Sequence, residues 1–131
     1  MPTHDDKMYM IIDDDVINNM VCQLIIKSVV PNTRTLCFVN PLEALEYLTN
    51  KDSVKPEIIL LDINMPEIDG WQFLEKYENL DINTKIVILS SSSNESDKYR
   101  AEKHPLVVNY VSKPLTIEKL MKIVRNVVDN E

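Results

Sequence analysis

The chain is poor in several things, and each shortage narrows what it can do. It has one glycine, Gly70, in 131 residues. A glycine-rich phosphate loop or a dinucleotide fingerprint needs several, so both are excluded. Its two cysteines, Cys22 and Cys37, lie inside apolar periodic segments with no spacing that resembles a zinc site. They read as small, reduced core residues. There is no basic stripe: the formal net charge is −7, which argues against direct binding to nucleic acid, whose phosphates demand clustered Lys and Arg. The apolar runs are no longer than a strand, so no membrane insertion is expected. Met1 to Asp6 are polar and acidic without an apolar core; they read as a frayed tail rather than a secretion signal, and point to the cytoplasm.

What is present is ordinary for one globular domain, expected over 7–131. With 44% hydrophobic and 27% charged residues, the chain can bury one substantial core and has no room for a second folded module. Apolar strand-sized runs cover Met8–Ile12, Thr35–Val39, Ile58–Leu61, Ile86–Leu89 and Leu106–Val111, and a helical pattern follows each. The first helix, capped by Asp15, is expected to bury Ile17, Met20, Val21, Leu24 and Ile25 with Ser28 or Val29. The second starts at Asn40-Pro41-Leu42-Glu43, with Leu42, Leu45 and Leu48 inward. The third starts at Asp69-Gly70-Trp71-Gln72, with Trp71, Leu74 and Tyr77 on one face. Ser92 and Glu95 have capping-box spacing for a fourth, which runs to about Lys103. Tyr99 and Ala101 are nearly its only core candidates, so it is expected to be the most mobile. The fifth covers Thr116 to Asn130, with Ile117, Leu120, Met121, Val124 and Val128 on one face.

Five strand–helix alternations predict an α/β fold, a doubly wound parallel sheet with helices on both faces. In the flavodoxin-like order 2-1-3-4-5, strands 1, 3, 4 and 5 are contiguous, and ligands gather at the carboxyl ends of such strands. Those four strands end in Asp13-Asp14, Asp62, Ser90 and Lys113; the second ends in Val39-Asn40, with nothing ionisable. Converging carboxylates repel one another unless a cation joins them, and all-oxygen ligation suits Mg²⁺. Lys113 adds a point charge and Ser90 a hydroxyl, so the set describes a site for a dianionic phosphoryl group. A carboxylate can attack phosphorus and carry that group covalently, and Asp62 is the best candidate. Taken singly, a strand-end Asp is more often a cap or solvated residue, Lys113 a surface lysine and Ser90 a terminal hydroxyl. Their joint position on adjacent strands raises the functional reading.

With Ile11-Ile12-Asp13-Asp14, Leu61-Asp62-Ile63-Asn64-Met65-Pro66 followed by Asp69-Gly70, Ser90, and Val111-Ser112-Lys113-Pro114 in place, the chain resembles a bacterial response-regulator receiver domain over nearly its whole length. The resemblance implies that Asp62 accepts a phosphoryl group from a phosphohistidine on a sensor histidine kinase or phosphotransfer protein. By the same resemblance Asp14, Asp62 and the Asn64 carbonyl would ligand Mg²⁺, with Asp13 acting through water. Ser90 and Lys113 would hold the phosphate, and Tyr110 would turn inward as Ser90 moves. Asn64 and Ser92 would tune the phosphate's lifetime, and Lys113-Pro114 would be cis. Two residues depart from the family pattern: Asn109 stands where Gly is frequent and tolerates positive φ better than most, and Ser90 stands for the commoner threonine.

Because the chain ends at Glu131, a stand-alone switch is expected, signalling to a downstream protein target through the fourth helix, strand 5 and the fifth helix. A homodimer is left open. Two other classes compete. An aspartate-based phosphatase of the haloacid-dehalogenase type would need an acid two residues after the nucleophile, where Asn64 stands. A receiver fold used as a constitutive interaction module would bind its partner indifferently to phosphorylation.

Overall fold

The computed structural model describes residues 7–91 and 94–129, the side chains of 127–129 excepted. The expectations for the tail at 1–6, for Ser92 and for Val128 lie outside the described residues or side chains. The order is β1 (Met8–Ile12), α1 (Val16–Val29), β2 (Arg34–Phe38), α2 (Pro41–Thr49), β3 (Ile58–Leu61), α3 (Gly70–Glu78), β4 (Lys85–Ser90), α4 (Glu95–Lys103), β5 (Val107–Ser112) and α5 (Ile117–Asp129). The strands form one sheet in the order β2-β1-β3-β4-β5, and every pairing is parallel. The central strands β1 and β3 are buried at every position. Successive residues point to opposite faces. Met10, Ile12, Ile59, Leu61, Ile86 and Ile88 pack under α2, α3 and α4, while Tyr9, Ile11, Ile58, Leu60, Val87 and Leu89 pack under α1 and α5.

Local signals place most helix starts. Asp15 caps α1 by accepting from the Ile17 and Asn18 amides. Asn40 caps α2 ahead of Pro41. Asp69 and Gln72 form the reciprocal capping box of α3. For α4 the cap is Asn94, which accepts from the Ser96 amide, two residues after the start expected from the sequence.

Which face each helix buries departs from expectation in four cases. In α1 the buried residues are Asn19, Cys22 and Ile26, while Ile17 and Leu24 are 72% and 68% exposed and Met20 and Val21 also face out. The reason is the short link from β1: Asp13 belongs to the strand end and Asp15 to the cap, so the helix enters at a fixed rotation whatever its apolar stripe prefers. In α2, Pro41, Ala44 and Leu48 are buried and Leu42 points outward. In α4, Ala101 is the only buried residue, and Tyr99 is exposed. In α5, Ile123 joins Leu120 inside, whereas Ile117 and Met121 are exposed. Asn109 does not adopt positive φ; Asp81 alone does among the described residues. The irregularity is instead a register shift opposite Ile86/Val87, which skips Val108.

Candidate functional site

The carboxyl ends of β1, β3, β4 and β5 converge as expected. Asp13 follows β1 and Asp62 follows β3, and the ladder extends into both: the Asp62 amide donates to the Ile12 carbonyl at 2.9 Å, and the Asp13 amide to the Phe38 carbonyl at 3.1 Å. Asp13 and Asp62 are 2% and 5% exposed. Asp14 is exposed, which leaves an open side. A carboxylate oxygen from each of Asp13, Asp14 and Asp62 lies within 4.8 Å of the others.

Lys113 bridges the two buried carboxylates from β5's end. Its Nζ lies 2.6 Å from Asp13 Oδ2 and 3.6 Å from Asp62 Oδ1. It is anchored by its backbone amide, which donates to the Ser90 carbonyl at 2.9 Å, and the Lys113-Pro114 bond is cis, as the resemblance implied. Burial works against the ammonium's charge, but the hydrogen bond and field of Asp13 outweigh it, so Lys113 titrates above the ordinary lysine range. Asp62 is pushed up to about 6, first by burial and then by Asp13, with Lys113 and the Asn64 amide pulling the other way. One ammonium thus does not offset two buried carboxylates. The donor set is all oxygen and over-negative, which fits a divalent hard cation such as Mg²⁺ and not zinc.

The remaining predicted residues take these places. Ser90 ends β4 fully buried, two residues past Ile88, the β4 partner of Leu61. Asn64 is exposed, and its amide reaches Asp62 Oδ1 at 3.4 Å. Tyr110 is half-buried on β5 against the α2–α4 side of the core. Behind Asp62, a Cβ built on Gly70 would meet the Asp62 carbonyl oxygen at 2.7 Å and Ile63 Cα at 2.8 Å. That close approach of two backbones is why the chain's single glycine stands there.

Two residues escaped the sequence reading. Asn18 Nδ2 donates to Asp13 Oδ2 at 2.8 Å, and Asn19 Nδ2 to the Asp13 carbonyl at 2.9 Å. Their signal is a local one: two adjacent asparagines, poor helix formers, in the first turn of a helix already capped by Asp15. Cys22, one turn on, is fully buried, and burial and Asp13 push its thiol up to about 12. It stays neutral and is a core residue, as expected. A third unpredicted feature ties α4 to α3: Trp71 Nε1 donates to Asp97 at 3.3 Å, and the Arg100 guanidinium lies 4.5 Å from the centre of the Trp71 ring.

Comparison with known proteins agrees with this fold. A family model described as the response regulator receiver domain matches residues 9–125. The chain is 30% identical over 132 residues to a protein-glutamate methylesterase/protein-glutamine glutaminase of Treponema pallidum, covering 98% of this chain and 32% of that protein. It is 27% identical to the response regulator Rcp1 of Synechocystis, covering 92% of this chain and 86% of Rcp1. The chain therefore spans about a third of the first relative and most of the second. A two component response regulator from Cytophaga hutchinsonii superposes with a TM-score of 0.82 at 28% identity, covering 95% of this chain and 98% of that one.

Proposed function

The chain belongs to the response regulator receiver domain family, whose members are phosphorylation-dependent switches, and from that premise we propose that Asp62 is its phosphoacceptor. The observation that carries the reading is the acceptor's setting: a strand-end carboxylate, 5% exposed, in a three-carboxylate cluster with one shared ammonium. With a pKa near 6, Asp62 is anionic at neutral pH and able to attack phosphorus in line with a departing nitrogen of a phosphohistidine. Lys113, already 3.6 Å from Asp62 Oδ1, meets one phosphoryl oxygen, and the Ser90 hydroxyl donates to another. Asp13, Asp14, Asp62 and the Asn64 carbonyl would hold Mg²⁺, which when bound supplies charge neutralisation at the phosphoryl oxygens. Asn64, exposed two residues past Asp62, tunes the phosphate's lifetime through the access of hydrolytic water, and Ser92, outside the described residues, is assigned the same role from its sequence position.

The donor is a sensor histidine kinase or a phosphotransfer protein. The apolar outer side of α1, which begins two residues after Asp14, is a surface on which such a donor can rest while reaching Asp62. The downstream target docks on α4, β5 and α5, where Tyr99, Val108, Ile117 and Met121 are exposed and α4 has one buried residue to hold it. Tyr110 reports the phosphorylated state to that face. The unit that does this is 7–131, and its place of work is the cytoplasm. The chain's catalysis extends to its own phosphorylation and dephosphorylation only.

The test is direct. Incubation with Mg²⁺ and a small phosphodonor adds one phosphoryl group by intact mass. Asp62→Asn gains none, and chelation of the metal abolishes uptake by the native chain. Equal uptake by Asp62→Asn would show that the acceptor lies elsewhere.

A further inference from the structure

Asp13 is held by donors on both of its carboxylate oxygens. Oδ1 accepts from the Asp15 amide at 2.9 Å, and Oδ2 accepts both Lys113 Nζ at 2.6 Å and Asn18 Nδ2 at 2.8 Å. Asn19 fastens its carbonyl from the next position of α1. Lys113 thus rests mainly on Asp13, 1 Å nearer to it than to Asp62. If Asp62 is the phosphoacceptor, a reading on which the role of Asn18 depends, phosphorylation calls the ammonium toward Asp62. That move strips Asp13 Oδ2 of its ion partner in a pocket where Asp13 is 2% exposed. A buried carboxylate oxygen left without a donor is costly, and the cost would hold the lysine back.

We propose that Asn18 is a positioning residue that keeps a donor on Asp13 Oδ2 and so frees Lys113 to leave for the phosphoryl group. It is suited to this by place and by charge. It sits on the first turn of α1, whose start is pinned by Asp15, so its amide is carried by a rigid element rather than a loop. It is neutral, so it satisfies the oxygen without adding a second cation that would compete for the phosphate or repel a metal. Asn19 has a different part. It holds the main chain at the corner between β1 and α1, and its amide goes to the carbonyl rather than the carboxylate.

The experiment uses the full chain with Asn18→Leu, which keeps the branched shape and loses the donor, and Asn18→Gln, which keeps an amide. Asn18→Ser, whose hydroxyl is too short to reach, replaces the leucine variant should that fail to fold. In the first arm, without metal or phosphodonor, hydrogen exchange of the ¹⁵N-labelled Lys113 ammonium is followed by NMR. Asn18→Leu is expected to slow that exchange several-fold, because Oδ2 then leans on Lys113 alone of the two side chains that now share it. A merely structural role would not move it that way. In the second arm, at saturating Mg²⁺ with phosphoramidate, Asn18→Leu phosphorylates about tenfold more slowly, the worth of one hydrogen bond to a charge. Asn18→Gln recovers most of the rate.

Unchanged Lys113 exchange in Asn18→Leu overturns the proposal, as does a glutamine variant as slow as the leucine one. If the native chain takes up no phosphate at Asp62, the phosphoacceptor reading fails, and the exchange arm alone still decides whether Asn18 governs the hold of Asp13 on Lys113.

Discussion

At the end of the sheet where the strands finish, two buried carboxylates share one ammonium and an exposed third crowds them. At the end where the strands begin, Tyr77 and Thr84 form a neutral buried cluster. There the Tyr77 hydroxyl accepts from the Thr84 amide at 3.2 Å and lies 3.4 Å from the carbonyls of Ile82 and Thr84. The Thr84 hydroxyl donates to the Pro56 carbonyl at 2.8 Å. Both clusters bridge separate elements through buried side chains. The difference is that one is complete as it stands and the other is not. A satisfied neutral network returns its desolvation cost and stabilises, whereas a surplus of buried negative charge is held at the fold's expense and becomes favourable when a cation arrives. One end of the sheet is built for stability and the other for chemistry.

The contrast breaks first at Asp62, where the largest stability effect is expected. Its folded pKa of about 6 lies above the ordinary carboxylate value, so the folded chain binds its proton more tightly than the unfolded one. The stability contributed by that proton is complete below about pH 4 and is lost as pH rises through about 6. In metal-free protein, urea unfolding of the native chain and Asp62→Asn should therefore diverge between those pH values. Above them the variant is more stable by on the order of 2 kcal/mol. Mg²⁺ narrows the gap by stabilising the native chain. A variant less stable than the native chain at pH 7 would contradict a site held under repulsion.

The opposite end should behave in the opposite sense. Thr84→Val removes the hydroxyl bound to the Pro56 carbonyl and should cost about 1–2 kcal/mol in the same unfolding assay. On the proposal that Asp62 is the phosphoacceptor, the rate of phosphate uptake stays as it was. A slowed uptake would mean the two ends are coupled through β4, and the comparison would fail. Nearer the surface, Lys7 and Glu57 pair at 3.3 Å with the lysine about a third exposed. Lys7→Ala is expected to change stability by no more than about 0.5 kcal/mol, and less in high salt. A larger loss would place that pair among the buried interactions of its end.

Much of the fold is legible in the sequence. The strands, their parallel order and the residues that close them follow from short apolar runs that each stop at a polar residue, a pattern that survives without three-dimensional knowledge. Asp15, Asn40 and Asp69 are caps whose roles depend on neighbours two or three residues away, so local spacing suffices. The helix faces are less legible. The α1 segment carries apolar residues on nearly every side, and counting them favours the stripe through Ile17, Met20 and Leu24. The fold buries Asn19, Cys22 and Ile26 instead, because the strand before the helix and its cap fix the rotation. A poor propensity residue, Asn18, faces the site for the same reason.

From the sequence alone come the fold class and the convergence of Asp13, Asp14, Asp62, Ser90 and Lys113 on one edge. Strand-end positions in a doubly wound sheet are set by order and length, and these are written along the chain. Only the tertiary structure decides that Lys113 rests on Asp13 rather than Asp62, that Asn18 shares the same oxygen, and that α1 turns its apolar stripe outward. Those outcomes depend on distances of about an ångström and on the rotation of one helix, which arise when several elements compete for the same buried space.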